Sequence, residues 1–379
     1  MSYKVKASLV GIGMALFVGW AAAAAQDLDR ILTQIRRNVA MAVSIALLLS
    51  LASSANVLAI DQTLRGEQAV NQLRANGTYD SLMLAMKEAQ SESGPAGGQI
   101  FISQTAKVSG DDASPINSSF GDSISVSGDT AVVGAFLEEV NGETFHGSAY
   151  VFVRNGNAWT RQARLLANDG TIDDRFGSDV AIWNDTIVVG AEGVDSFQRP
   201  NQGAAYVFVR NGGVWTQQAK LAVFVEEIGN LGISVDISSD TVIAGTLEDV
   251  AGRQEQGSAY IFTRSGNAWT QQARLLAADG AAANRFGWSV AIENDTAIIG
   301  AYKNRVGNNN EQGAAYVFVR NGNAWTQQAK LAAADGVQFE NFGWSVGLSG
   351  DTAIVGVLRG DGSFKAVGSA YVFVRNGSA

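Results

Sequence analysis

Two tryptophans, Trp288 and Trp344, occupy positions where the other copies of a repeated unit have different residue types. The equivalent positions of the other copies hold Asp122, Ser178 and Ile233. Paired indole rings can stack on a sugar ring or anchor a peptide side chain. Together with the loop residues Tyr302, Arg305 and Phe136, the two tryptophans are predicted to form a ligand-binding site. The alternative is that the two tryptophans pack between repeats.

Carboxylates are the second group of residues that could do chemistry. Asp169, Asp173 and Asp174 lie close together in one loop, and carboxylate oxygens are the ligands that calcium prefers. Only this copy of the loop is rich in oxygens, and the turns between the first two strands of each repeat carry a single aspartate. We therefore expect no cofactor, and these three aspartates are the residues that would hold calcium if the chain binds it.

Few residues support catalysis. Asp122 and Asp179 each follow a Phe-Gly pair and could meet at the mouth of a central channel, where a carboxylate pair could hydrolyse polysaccharide. His146 is the only histidine and has no Ser-Asp partner set, and the chain has no cysteine for thiol catalysis, zinc-thiolate sites or disulfides. We expect a non-catalytic protein, with a polysaccharide-acting enzyme or a structural surface protein without a specific ligand as alternatives.

The elements that position these residues come from a repeat of about 55 residues. A Phe-Gly or Leu-Gly pair opens each copy, at Phe120, Phe176, Leu231, Phe286 and Phe342. In the clearest copy, Ser289–Ile292, Thr296–Ala301, Gly313–Arg320 and Ala324–Leu331 read as four strands joined by tight turns. Four short antiparallel strands per copy, with no helical pattern between them, predict a blade of an all-β propeller.

The last copy lacks its fourth strand, whereas a matching segment precedes the first copy. Gln104–Val108 resembles Gln327–Leu331, and pairing it with the last blade would close a ring of five blades and remove both open edges. The alternative is a piece of a longer array, such as a seven-bladed one. In a propeller, the loops between the second and third strands of all blades lie on one face. These loops differ in sequence in every copy, as expected of a recognition surface, and the face that carries them is called the variable face below.

The N-terminal quarter of the chain differs in composition from the repeats. Residues 1–60 contain two apolar stretches, Ala7–Ala25 and Ala40–Ile60, each preceded by basic residues, as in signal sequences or membrane anchors. Residues 61–99 are polar and partly helical in pattern, which indicates a spacer before the propeller at 100–379. We therefore expect a secreted or surface-anchored protein whose propeller lies outside the cytoplasm and whose only membrane contact is through the apolar stretches.

With Phe-Gly opening the copies and Val-Gly-Ala or Ile-Gly-Ala closing their second strands, at residues 133–135, 189–191 and 299–301, the chain resembles the FG-GAP repeat family. That resemblance covers Gln104 to Arg375 and implies an extracellular propeller, like that of integrin α subunits, that recognises proteins or glycans. The net charge of −9 argues against nucleic acid as a partner. We expect a monomeric propeller with a protein or glycan ligand.

Overall fold

The computed structural model describes residues 106–110, 118–196, 199–223, 229–248, 250–360 and 367–377. Within these residues the chain forms five antiparallel sheets and no helix. Blade 1 contains β1 Ile124–Ser127, β2 Thr130–Ala135, β3 Ser148–Asn155 and β4 Ala158–Leu165. Blade 2 contains β5 Phe176–Trp183, β6 Thr186–Ala191, β7 Ala204–Asn211 and β8 Val214–Leu221.

The remaining three sheets follow the same plan. Blade 3 contains β9 Val235–Ser238, β10 Thr241–Thr246, β11 Ser258–Ser265 and β12 Ala268–Leu275. Blade 4 contains β13 Phe286–Glu293, β14 Thr296–Ala301, β15 Ala314–Asn321 and β16 Ala324–Leu331. Blade 5 contains β17 Phe342–Ser349, β18 Thr352–Gly360 and β19 Val367–Val374. The prediction of five propeller blades with four antiparallel strands is confirmed for four blades, and the fifth has three described strands.

Strand order within each blade follows chain order, so every connection is a hairpin. In blades 2 and 4 the second strand is buried on both faces, which its run of small and β-branched residues permits, whereas the fourth strand of blade 4 is largely exposed on one face. The predicted bounds of the second and fourth strands of blade 4 match those observed. Its first strand begins three residues earlier than predicted, at Phe286, because a bulge lets the Phe-Gly pair join the sheet.

Neighbouring blades pack through apolar faces. Val132 and Val151 of blade 1 form one buried cluster with Val180 and Ile182 of blade 2, and the same arrangement recurs at the following interfaces. The phenylalanine of the Phe-Gly pair is fully buried in blades 2, 4 and 5. In blade 2 its ring makes edge contacts with two aromatic rings of β7, at 5.5 and 5.9 Å between centroids.

The glycine of the Phe-Gly pair fixes the distance between blades. Gly177 has φ +95°, which side-chain-bearing residues rarely adopt. Its backbone lies so close to Gly134 of the preceding blade that a Cβ atom on Gly134 would overlap the Gly177 carbonyl. Three further interfaces repeat this contact between a second-strand glycine and the next Phe-Gly or Leu-Gly glycine. The pairs are Gly190 with Gly232, Gly245 with Gly287, and Gly300 with Gly343.

The predicted closing strand lies only partly within the described residues. Gln104 and Thr105 lie outside them, and Val108 packs against the cluster of Tyr150 and Phe152 in blade 1. The outer faces of the first and last blades are exposed, as Ile124 and Val372 show with exposed fractions of 72% and 63%. Ring closure therefore stays a prediction.

Residues 1–99, with both apolar stretches and the spacer, lie outside the described residues, and their predicted roles stay predictions. In the part of the chain that the structure describes, no helix has the length and hydropathy needed to cross a membrane.

The contact between glycines predicts that substitution at Gly190 destabilises the fold. In Gly190→Ala the new methyl group would overlap the backbone of Gly232, which cannot rotate away. We expect the free energy of unfolding to fall by about 1–3 kcal/mol, measured by urea denaturation. Gly347→Ala is the matched control, because blades 2 and 4 already carry Ala181 and Ala291 at that position. Equal stability of the two variants would contradict the role assigned to the glycine contact.

Candidate functional site

The inner strands of the blades line a central channel with their alternate side chains. At one end of it lies a cavity of about 430 Å³, formed by residues from all five blades that follow the Phe-Gly or Leu-Gly pairs. The lining residues are Asp122, Ser123, Ile124, Ser178, Asp179, Ile233, Ser234, Trp288, Trp344 and Ser345. Both predicted tryptophans therefore lie at this mouth, alongside hydroxyl and carboxylate groups.

The tryptophans form an aromatic cluster with Tyr302. The rings of Trp288 and Trp344 lie 5.0 Å apart between centroids, and Tyr302 lies 4.9 and 4.8 Å from them. Both indoles are half-buried, whereas Tyr302 is only 5% exposed. The cluster thus leaves part of each indole accessible at the cavity, and Tyr302 supports the indoles from beneath.

Arg285 holds this cluster in place, and the sequence reasoning missed it. Its Nη1 donates a hydrogen bond of 2.6 Å to the Tyr302 hydroxyl, and its guanidinium pairs with Glu255 at 2.8 Å and lies over the Trp288 ring. Burial would lower the pKa of Arg285, but the bonds to Glu255 and Tyr302 raise it. Burial raises the pKa of Tyr302 although Arg285 opposes this shift, so the hydroxyl stays protonated. The sequence feature that could have identified Arg285 is its position directly before the Phe-Gly pair of blade 4.

Two further predicted ligand-binding residues, Arg305 and Phe136, are not among the described residues that line the cavity. Arg305 is exposed in the loop of blade 4, where its Nε donates to the Gly307 carbonyl at 3.1 Å. Phe136 is half-buried at the position in blade 1 that corresponds to Tyr302. Their assignment to a binding site remains a prediction.

Asp179 is tied into the walls of the channel. Its carboxylate accepts hydrogen bonds from the Ser123 hydroxyl at 2.8 Å and from the backbone N–H groups of Val180 and Val235 at 2.9 and 2.7 Å. Burial raises its pKa, and these hydrogen bonds oppose the shift. Asp179 thereby joins the inner strands of three blades. Both of its oxygens are engaged, which leaves Asp122 as the other carboxylate at the mouth.

Asp236 performs the same task one blade further on. It accepts hydrogen bonds from the N–H groups of Ile237 at 2.8 Å and Ile292 at 2.7 Å. Burial raises the pKa of Asp236 to about 7, with a smaller contribution from the negative charges of Asp179 and Glu293. This carboxyl therefore changes its charge near neutral pH in the interior of the channel.

The residues that would hold calcium have other partners. Asp169 forms an ion pair of 2.7 Å with Lys220, which lowers its pKa against the opposing effect of burial. Asp174 is buried and accepts a hydrogen bond of 2.8 Å from the Thr171 N–H. Asp173 is exposed, at a residue with φ +63°. Among the described residues, no group of three or more histidine, aspartate or glutamate side chains is placed to hold a metal ion.

Two acidic residues in the loops between second and third strands are buried. Glu138 and Glu248 are each 2% exposed and accept hydrogen bonds from the core hydroxyls of Tyr150 and Tyr260. Arginines of the fourth strands complete the arrangement, with Arg164 and Arg274 at 2.8 and 2.7 Å from the carboxylates. Each of the two glutamates thus provides the acceptor that a buried tyrosine hydroxyl needs.

His146 is likewise structural. It is buried against Gly170 of the turn into blade 2, where the equivalent positions of blades 3 and 4 hold Gln256 and Gln312. Its Nδ1 lies 3.1 Å from the Gly147 carbonyl.

The raised pKa of Asp236 predicts a pH-dependent stability. Because the folded state binds this proton more tightly than the unfolded chain, the stability it contributes is fully present below about pH 4 and is lost as the pH rises towards 7. Asp236→Ser should flatten this part of the curve, since Ser125 already makes the equivalent bond to Ile182 N–H in blade 1. Urea denaturation between pH 5 and 8 measures it, and an unchanged slope in Asp236→Ser would contradict the assignment.

Comparison with known proteins identifies the family to which the repeat belongs. The pattern of the FG-GAP repeat matches residues 102–152, 159–208, 269–318 and 325–373. No curated protein matches. Among solved structures, the N-terminal domain of Nup159 aligns with a TM-score of 0.36 and 9% identity over 67% of this chain, and the chain spans 58% of that domain's length. Since the matched repeats make up more than half of the sequence, the chain belongs to the FG-GAP repeat family.

Proposed function

We propose that this protein is a non-catalytic binding propeller that recognises a protein or glycan ligand at the mouth of its central channel. The observation that carries the proposal is the pair of half-buried indoles, Trp288 and Trp344, in a cavity also lined by serines and Asp122. Flat apolar rings beside hydroxyl and carboxylate groups suit a ligand with one apolar face and a polar rim, such as a sugar ring or a peptide anchor.

Preorganisation supports a binding role for the tryptophans. Tyr302 and Arg285 fix the two indoles from the protein side, so little side-chain entropy remains to be lost when a ligand contacts them. In blades 1 to 3 the same position holds an aspartate, a serine and an isoleucine, so the blade fold does not require tryptophan there.

The face opposite the cavity carries the tight hairpin turns, and the charged residues there mainly stabilise the fold. In every blade the aspartate of the first hairpin turn pairs with the arginine that ends the third strand. The pairs are Asp129–Arg154, Asp185–Arg210, Asp240–Arg264, Asp295–Arg320 and Asp351–Arg375. From blade 2 onward each arginine also donates to a threonine of the preceding blade, at 3.1 or 3.2 Å. Because these charges are paired within the protein and are the same in every blade, the face that carries the variable loops is favoured as the place where a ligand is recognised.

The channel carboxylates favour binding over polysaccharide hydrolysis. Hydrolysis of this type needs one carboxyl that protonates the leaving group and a second, free carboxylate as nucleophile or base. Asp179 is fully hydrogen-bonded within the wall, and Asp236 is bonded to two backbone N–H groups. No specific observation therefore favours the enzyme.

Export belongs to the proposal as well. The apolar stretches Ala7–Ala25 and Ala40–Ile60 support delivery to the cell surface or beyond, with the propeller outside the cytoplasm. The acidic net charge is compatible with a protein or neutral glycan partner and disfavours nucleic acid.

A binding screen with matched tryptophan variants tests the proposal. The full-length chain is presented to an array of glycans and to candidate surface proteins, together with Trp288→Ser/Trp344→Ser, whose serines copy Ser178 of blade 2. The expected result is a ligand whose affinity falls at least about tenfold in the double variant, because the loss of one aromatic anchor commonly costs more than about 1 kcal/mol.

The control is Trp183→Ser. Trp183 is 40% exposed at the hairpin end of an inner strand, and Ser127, Ser238 and Ser349 occupy its equivalent positions. This variant should bind like the parent protein, and all variants should keep the parent's unfolding midpoint. Equal loss of binding in Trp183→Ser, or unfolding of the double variant, would count against a site at Trp288 and Trp344.

A further inference from the structure

The residue that directly follows the Phe-Gly or Leu-Gly pair differs in type between blades, although the blade fold repeats. It is Asp122 in blade 1 and tryptophan in blades 4 and 5, at Trp288 and Trp344, whereas blades 2 and 3 have Ser178 and Ile233. All five residues line the same cavity at the mouth of the channel. One position of the repeat therefore supplies this cavity with both indoles and with a carboxylate.

Asp122 differs from the other carboxylates of the channel because its side chain is available to a ligand. It is exposed, and in the described part of the chain its carboxylate has no hydrogen-bond or ion-pair partner. Asp179 and Asp236, in contrast, each accept hydrogen bonds from two backbone N–H groups. The two oxygens of Asp122 are therefore free to accept hydrogen bonds from a molecule in the cavity.

The charges around the cavity disfavour an anionic ligand. Among the described residues that line it, the only ionisable side chains are those of Asp122 and Asp179, and none of the lining residues is basic. A carboxylate, sulfate or phosphate group on a ligand would meet like charge there and would find no cationic partner. The group that enters the cavity therefore carries no negative charge.

The aromatic cluster already has cations of its own. The Arg285 guanidinium lies 5.9 Å from the centre of the Trp288 ring and 5.8 Å from that of Tyr302, and Lys303 Nζ lies 5.9 Å from the Tyr302 ring. A positively charged ligand would therefore gain less from this cluster than from aromatic rings without cationic neighbours. Asp122 alone would have to stabilise its charge.

From this combination we infer that the cavity binds one pyranose ring of a neutral glycan. The apolar C–H face of the ring lies on the indoles of Trp288 and Trp344, and two neighbouring hydroxyls donate hydrogen bonds to the Asp122 carboxylate. This inference rests on the proposed function and names the class of ligand that the site binds. The volume of about 430 Å³ lies in the lower part of the range of about 300–1,000 Å³ that is typical of small-ligand sites, as suits a single sugar ring.

A sugar ring uses both kinds of group that the cavity offers. An apolar side chain of a peptide would cover the indoles but would leave Asp122 without a partner. Hydrogen bonds to a charged acceptor are stronger than those between neutral groups, so Asp122 favours a ring with two neighbouring hydroxyls over an apolar group. Asp122 is thus the residue that determines specificity, and the indoles provide the contact area.

Titration of the full-length chain with three forms of one sugar ring tests the role of charge. Glucose, glucuronic acid and glucosamine share a pyranose ring and are neutral, anionic and cationic at about pH 6. The galactose and mannose series are titrated in parallel by isothermal calorimetry, with N-acetyl-arginine amide as a probe for a cationic peptide. In at least one series we expect the neutral sugar to bind most tightly and the uronic acid to bind several-fold more weakly.

Variants at Asp122 separate its role from that of the indoles. Asp122→Ser, which copies Ser178 of blade 2, should lower the affinity for the neutral sugar at least about tenfold, because hydrogen bonds to a charged group are lost. Asp122→Asn keeps the size and removes the charge, so the difference in affinity between the neutral sugar and the uronic acid should become smaller.

Glu139→Gln is the matched control. It removes one carboxylate from the second-to-third-strand loop of the same blade, and Glu139 is not among the described residues that line the cavity. This variant should keep the affinity and the sugar preference of the parent. All variants should keep the parent's unfolding midpoint, and if Asp122→Ser lowers it, the result with Asp122→Asn decides.

The inference is overturned if no sugar binds, if the neutral sugar and the uronic acid bind equally, or if the affinity is unchanged in Asp122→Ser. Tighter binding of glucosamine or of the arginine amide would assign the cavity to a cation instead. If that binding is lost in Trp288→Ser/Trp344→Ser, the proposed function stands while this inference fails. Sugar binding that the double variant leaves unchanged would place the ligand elsewhere on the protein, and both would fail.

Discussion

Two backbones come into direct contact at four interfaces between described blades, where a second-strand glycine of one blade meets the Phe-Gly or Leu-Gly glycine of the next. No side chain fits between them, as the overlap of a Cβ on Gly134 or Gly300 with the neighbouring carbonyl demonstrates. This contact explains why the two glycine motifs recur together, since each is half of one interface. It also sets how closely the apolar faces pack, because the valines and isoleucines on either side reach each other only at this separation.

Around this fixed spacing, blades 1, 3, 4 and 5 each provide an acceptor for the equivalent tyrosine hydroxyl, in one of two ways. Blades 1 and 3 supply a glutamate from their own loop and pair it with an arginine, as with Glu138 and Arg164. Blade 4 relies on Asp279 of the preceding turn, which binds both Tyr316 and Lys330. The need for an acceptor is constant, whereas the part of the chain that provides it changes. Loop sequences that look unrelated therefore share one structural task.

This variation marks the limit of what the sequence alone predicts. Strand positions followed from local residue pattern, because turns with Asn-Gly and runs of β-branched residues act over a few residues. Trp288, Trp344 and Tyr302 were identified together, since a non-repeating aromatic in a repeat is visible without coordinates. Arg285 and the buried Glu138 were not predicted, because their partners lie in other parts of the chain and only the fold brings them together. Whether the N-terminal strand closes the ring depends on contacts that no local pattern encodes.

The alternation of acceptors gives the chain a second, longer period. Glutamate with arginine appears in blades 1 and 3, and aspartate with lysine in blades 2 and 4. In blade 5 the acceptor of the Tyr371 hydroxyl is Asp335, an aspartate of the preceding turn as in blade 4. Glu138 and Asp279 each bind a tyrosine hydroxyl and a cation together, so a single substitution at such a carboxylate deprives two side chains of their partner.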